Sequence, residues 1–147
     1  MTADAGRPDP VLSIALIHYA APPVIGGVER VLARHAVLMA DAGHHVRVIA
    51  GRGRVPDPRV RFVRLPLLDP RHHRIERLQR DLDIGEVPDD FAAVAGTIAS
   101  ELRAALDGVA AVVVGRSFTE RPAILAAVRE RFPRRLEQDG IAVNLGR

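Results

Sequence analysis

The sequence predicts an α/β fold, an open parallel sheet with helices on both faces, and three observations predict it. Residues 11–17 form a nearly continuous apolar run, which is typical of a strand buried in a parallel sheet. Residues 28–42 carry apolar side chains at helical spacing and end at Gly43, and residues 46–50 form a second apolar run. A strand, a helix and a strand of these lengths match one right-handed crossover unit.

The rest of the chain continues this alternation of strands and helices. Apolar residues alternate with arginine over 60–68, as expected for a strand nearer the sheet edge. Residues 71–83 and 91–106 have helical patterns, and 109–114 is another buried strand. Pro122 stands at a first-turn position and opens a last helix. We therefore expect a lead-in at 1–10, one Rossmann-like domain at 11–132 and an irregular tail at 133–147.

Composition limits the function classes. The chain has no cysteine, so disulfides and thiolate metal sites are excluded, and a reducing cytoplasm is expected. No apolar run approaches the ~20 residues of a membrane span, and residues 1–10 do not resemble a signal peptide. Two adjacent histidine pairs, His44–His45 and His72–His73, have poor geometry for a metal, and we predict no metal site.

Charge is segregated along the chain, although the net charge is only +3. Residues 52–64 hold five arginines against Asp57, whereas residues 81–107 hold seven acids against Arg103. With only 3% aromatic residues, the chain has no stacking platform for nucleic acid, and we expect no nucleic-acid partner. The arginines suit either an anionic acceptor such as a phospholipid headgroup or a plain solvated face.

The expected ligand site lies at the carboxyl ends of the strands, where loops 18–27, 51–54 and 115–120 would meet. Gly26 and Gly27 directly precede the first helix, so backbone N–H groups and the helix dipole would favour an anion there. The alternative is a loop that merely needs positive φ.

Three further residues are candidate contacts for an acceptor or an anion: His18, Tyr19 and Arg116. For His18, which ends the first strand, the alternative is a structural histidine hydrogen-bonded to backbone.

Residues 11–51 resemble the N-terminal domain of family-four retaining glycosyltransferases, which have the GT-B fold. The resemblance rests on the order and spacing of the first strand, Gly26-Gly27-Val28-Glu29, a helix that ends in the pattern Ala-x-x-Gly-His-x-Val over residues 40–46, and the second strand. A weaker resemblance covers residues 109–132.

The resemblance implies transfer of a sugar from a nucleotide-sugar to an acceptor with retention at the anomeric carbon. Gly26 and Gly27 would approach the donor diphosphate, with Glu29 in the first helical turn, where the dipole also favours a carboxylate. The implied partners are a C-terminal donor-binding half and a small-molecule or lipid-linked acceptor. The nucleotide-sugar would be a co-substrate, with no cofactor or divalent metal, and peripheral contact with the inner membrane face is expected.

Two departures from the family pattern leave the catalytic residues unassigned. Gly115-Arg116 stands where the family usually has a histidine, and no pair of glutamates has the eight-residue spacing of the family's C-terminal domain. The chain is therefore expected to be truncated and inactive alone. Two alternatives stay open, a non-catalytic interaction or anion-binding domain derived from a glycosyltransferase, and a free-standing nucleotide-binding domain.

Overall fold

The structure is a computed structural model and describes residues 8–23, 26–114, 130, 134–138 and 141–145. In chain order the elements are β1 (Ser13–Ile17), α1 (Gly27–Asp41), β2 (His45–Ala50), β3 (Val60–Arg64), a 3₁₀ turn (Pro66–Leu68), α2 (His73–Asp83), α3 (Phe91–Ala105), β4 (Ala111–Val114), β5 (Arg134–Gln138) and β6 (Ile141–Leu145).

The sheet confirms the predicted α/β class. Its strand order is β3-β2-β1-β4-β6-β5, and the first four strands in that order are all parallel. β1 is central, pairing with β2 on one side and β4 on the other, and β3 lies at the edge as its alternating pattern predicts. The crossover unit β1–α1–β2 is present with bounds close to those expected.

The predicted irregular tail at residues 133–147 needs correction. Residues 134–138 and 141–145 form β5 and β6, and β6 pairs antiparallel with both β4 and β5. The sheet is therefore mixed, with an antiparallel pair beyond β4. Each strand spans only five residues and the apolar run at 141–143 is short, so the local pattern alone did not distinguish strand from loop.

Helices cover both faces of the parallel strands. Successive side chains on each strand point to opposite faces, so these apolar strands place buried side chains on both. On one face α1 packs over β1, β2 and β3, with a core of Leu16, Leu32, Ala36, Val46, Val48, Val55 and Val60. On the other face α3 packs over β1, β2 and β4, with a core of Ala15, Ile17, Ile49, Leu68, Leu102, Leu106, Val109, Val112 and Val114. The smaller α2 packs through Ile75 and Leu78 against Leu67 and Val94.

The predicted strand at 60–68 is shorter than expected. β3 ends at Arg64, and Pro66–Leu68 form the 3₁₀ turn, with a proline at its start. Leu67 and Leu68 are buried, which accounts for the apolar pattern that continues past the strand. Pro66 lacks the backbone N–H that hydrogen bonding to a neighbouring strand requires, which is a physical reason for β3 to end before it.

The carboxyl ends of α1 and α3 are each stabilised by a particular residue. α1 stops before Gly43, which takes φ +87 and lets the backbone leave the helix, as predicted from sequence. At the end of α3, Arg47 from β2 donates to the carbonyl oxygens of Ala105 and Asp107, at 3.1 Å for the latter. A cation therefore meets the negative end of that helix dipole.

The last helix predicted from Pro122 and the loop at 115–120 lie outside the described residues. Among the helices that are described, none has both the length and the apolar character needed to cross a bilayer.

Candidate functional site

The candidate site is built where β1 ends and α1 begins. His18 follows β1 directly, and its N–H donates to Ile49 O at 3.0 Å, so the loop leaves the sheet beside β2. Gly51 N–H donates to Tyr19 O at 3.0 Å, and Ala21 N–H donates to Arg52 O at 2.9 Å. Two of the three loops expected at the carboxyl ends, 18–27 and 51–54, therefore lie side by side, and the third, 115–120, is not described.

Gly53 holds these two loops together at close range. Arg54 N–H donates to Pro22 O at 2.7 Å, and Gly53 itself takes φ +90. A β-carbon at Gly53 would overlap Ala21 O and would lie 2.8 Å from Pro22 O. Only glycine satisfies both the conformation and the close approach.

Gly26 and Gly27 differ in what surrounds them. Gly26 is the N-cap of α1 with φ −169, an extended conformation open to any residue, and the positive-φ glycines of the described chain do not include Gly27. A β-carbon at Gly26 would overlap Glu29 Oε2 and lie 2.9 Å from its Cδ, whereas one at Gly27 would meet nothing within 4 Å. The alternative that this loop merely needs positive φ is therefore wrong for both residues.

Glu29 and His18 form a buried pair behind Gly26. Their side chains approach to 3.6 Å between His18 Nε2 and Glu29 Oε1, and the two residues are only 1% and 7% exposed. The Tyr19 ring packs on the His18 ring, with centroids 4.1 Å apart and planes tilted by 31°. The sequence placed His18 at the mouth of a cleft, but the structure turns its ring inward onto Glu29.

Three features favour a carboxylate at this position. Glu29 is acidic in the first turn of α1, where the helix dipole stabilises negative charge. The missing side chain at Gly26 makes room for it, and the His18 ring lies beside it. The sequence did not predict this pair, although it placed the end of β1 and the start of α1 at the same edge of the sheet.

Burial lowers the pKa of His18 below its ordinary value of 6.5, and the nearby Glu29 carboxylate opposes part of that change. The imidazole is therefore neutral at pH 7. Since the unfolded chain binds the proton more readily than the folded chain, stability falls as the pH drops below 6.5 and levels off below the folded pKa.

We expect His18→Gln to flatten that pH dependence. Between the folded and unfolded pKa values, wild-type stability should change by about 1.4 kcal/mol for each tenfold change in proton concentration, and the variant should lack this change. Urea unfolding between pH 5 and pH 8 measures it. His45→Gln, at an exposed position on β2, is the matched control. Equal slopes for His18→Gln and wild type would contradict the assignment.

The arginine-rich segment at 52–64 is largely paired. Arg59 contacts Asp57 at 2.7 Å and Asp41 at 2.8 Å, and it holds the pKa of the Asp57 carboxyl below its usual value by hydrogen bonding. Arg52 Nε lies 3.5 Å from Asp69 Oδ1, and Arg64 donates to Gly51 O at 3.3 Å. This segment therefore offers an anion fewer free guanidinium groups than its sequence suggests. Arg116 lies outside the described residues.

In the described part of the chain, no three histidine or carboxylate side chains are grouped so that they could hold a metal ion. His72 and His73 stack with ring centroids 4.5 Å apart, and His72 Nδ1 accepts the Arg74 N–H as the cap of α2. The pair therefore lies at the start of α2.

Comparison with known proteins does not assign the chain to a family. No protein-family model matches the chain, and no curated protein matches it either.

Proposed function

We propose that the chain is the acceptor-side domain of a retaining glycosyltransferase of the GT-B type. In this proposal the domain faces a separate donor-binding half, and a sugar passes from a nucleotide-sugar to an acceptor between them. The observation that carries the proposal is the start of α1, where no described residue crowds Gly27, at the carboxyl end of the parallel strands. Ligands of open α/β sheets bind at that end.

The start of α1 supports the proposal because it joins a positive helix end to an uncrowded backbone. A diphosphate could approach Gly27 within hydrogen-bond range of the first-turn N–H groups, and no side chain at Gly27 would stand in its way. Such groups would offset diphosphate charge without a divalent metal. The buried His18–Glu29 pair then acts by position, holding the loop against the helix start.

The proposal also includes an acceptor and a place in the cell. The acceptor is a small molecule or a lipid-linked molecule, and the domain works in the cytoplasm at the inner membrane face. Tyr19, half-buried beside His18, is the proposed acceptor contact on the described part of the chain. The chain alone turns over poorly or not at all, since the donor half supplies most nucleotide-sugar contacts in the family it resembles.

The first experiment tests ligand binding at the start of α1. UDP-glucose and GDP-mannose are titrated into ¹⁵N-labelled chain, and saturable shifts are expected at the amides of residues 26–30. We expect Gly27→Ala to weaken binding by about 10-fold, because a methyl group then stands where the phosphate approaches. Gly96→Ala, at another open helical glycine, is the matched control and should bind as wild type. Shifts absent for both nucleotide-sugars, or equal affinity in Gly27→Ala, would contradict the proposal.

A second candidate function is a non-catalytic interaction domain, favoured by apolar side chains on the surface. Ile84 and Val87, between α2 and α3, are 70% and 73% exposed, and Val28, Val31 and Leu38 are about half exposed on α1. Contiguous exposed apolar surface marks interaction sites. Mixing the chain with the C-terminal half of a family-four enzyme separates the two candidates, since sugar transfer should appear only if the chain is an acceptor half.

A further inference from the structure

A groove of about 480 Å³ lies on the α3 side of the edge strand β3, apart from the His18–Glu29 site. Its floor is formed by Val63 and Leu65, and its wall by Ala104 and Ala105 near the end of α3. Val63 and Leu65 are half-buried and pack against the core on the α3 side, whereas α2 packs on Leu67 and Val94. The volume falls within the ~300–1,000 Å³ range of small-molecule sites.

Opposite charges face this groove. Arg61 on β3 and Glu101 on α3 both line it, and Arg47, the register partner of Arg61 on β2, lies beside them. Arg47 is already engaged, because it donates to the carbonyl oxygens at the end of α3. Asp107 also lines the groove and is engaged through its carbonyl oxygen, which accepts from Arg47. Arg61 and Glu101 are the other charged residues of the lining.

Glu101 gives the strongest indication that the groove binds a ligand. Its Oε2 atom is buried, and among the described residues it has no hydrogen-bond partner. A buried carboxylate oxygen without a donor is costly, so native structures normally supply one. Arg61 is exposed and makes no ion pair with any described side chain. The groove thus holds a buried carboxylate oxygen without a donor and an arginine without an ion-pair partner among the described residues.

We propose that this groove binds a small zwitterion whose protonated amine pairs with Glu101 and whose carboxylate pairs with Arg61. The apolar residues of the lining, Val63, Leu65, Ala104 and Ala105, suit a short methylene chain, because aliphatic atoms gain by leaving water there. An arginine guanidinium binds a carboxylate through two parallel N–H donors, which gives the anionic end its preference. The site is independent of the start of α1 and of any sugar transfer.

The probes are ω-amino carboxylic acids of increasing length, 4-aminobutyrate, 6-aminohexanoate and 8-aminooctanoate. Each is titrated into the ¹⁵N-labelled full chain, together with hexylamine and hexanoate, which carry a single charge. We expect saturable shifts at the amides of Val63, Leu65, Ala104 and Ala105, and about 10-fold tighter binding for one zwitterion than for either single-charge probe.

Two conservative variants assign the ends. Glu101→Gln should weaken binding of the best zwitterion by about 10-fold and abolish binding of hexylamine. Arg61→Gln should weaken binding of the same zwitterion by about 10-fold and abolish binding of hexanoate. Glu76→Gln, at an exposed carboxylate on α2, is the control and should leave every affinity unchanged. Spectra with native dispersion and unchanged melting temperatures show that the variants fold.

The proposal fails if no probe gives saturable shifts at the groove, which would mean that water alone satisfies Glu101. It also fails if Glu101→Gln binds the zwitterions as tightly as wild type, or if the single-charge probes bind as well as the best zwitterion.

Discussion

Replacement of Gly53 by alanine should lower the free energy of unfolding by about 2–4 kcal/mol. Two costs add at this position. The backbone φ of +90 is unfavourable for a residue with a side chain, and the new β-carbon would overlap the carbonyl oxygen of Ala21. The obstacle is backbone rather than a flexible side chain, so relief requires the two loops to separate.

Gly43 provides a matched control for that experiment. It has a similar φ of +87, but a β-carbon there would meet nothing within 4 Å. Gly43→Ala should therefore show the conformational cost alone, about 1 kcal/mol. Urea unfolding of both variants measures the difference, which isolates the close approach of the two loops. If the two substitutions cost the same, the loops are not held together as described.

Replacement of Gly26 by alanine should cost about 1–3 kcal/mol of stability, and the cost should depend on Glu29. The new methyl group overlaps the Glu29 carboxylate, so that side chain has to leave its position beside His18. Alanine is also a poorer N-cap than glycine. Because the carboxylate is flexible, the expected loss is smaller than a backbone collision would give.

A double-mutant cycle separates these contributions. In a Glu29→Ala background, Gly26→Ala should cost only the loss of the cap, so the coupling between the two positions should be about 1–2 kcal/mol. Gly27→Ala is the local control, since its β-carbon meets no atom within 4 Å, and it should leave stability within about 1 kcal/mol of wild type. Additive costs at Gly26 and Glu29 would rule out the described contact.

Sequence reasoning recovered the parallel part of the fold because its signals are local. The apolar run before His18, the helical spacing after Gly27 and the glycine at position 43 each report a boundary through the chemistry of nearby residues. The β5–β6 pair was missed because its pairing with β4 is set by tertiary contact rather than by a strong pattern in the tail.

The sequence predicted where the candidate site lies in the fold, but not how its side chains pack. Placing it at the end of β1 follows from the general rule for open sheets, and Gly26, Gly27 and Glu29 do begin α1. The inward turn of His18 and the fit of Glu29 over Gly26 depend on side-chain packing, which spacing does not encode. The groove at Glu101 needs β3 and α3 together, which are far apart in sequence, so no linear pattern marks it.

The central place of β1 has a consequence for how the chain is made. During synthesis β2 emerges soon after β1 and covers one side of it, but the other side waits for β4, with Ile14 pairing to Ala111. Until those residues leave the ribosome, β1 presents an unpaired apolar edge, which is the kind of surface that pairs wrongly with other chains. The nascent protein therefore depends on residues about a hundred positions later to cover the second edge of β1, and slow translation before β4 would lengthen the time for which that edge is open.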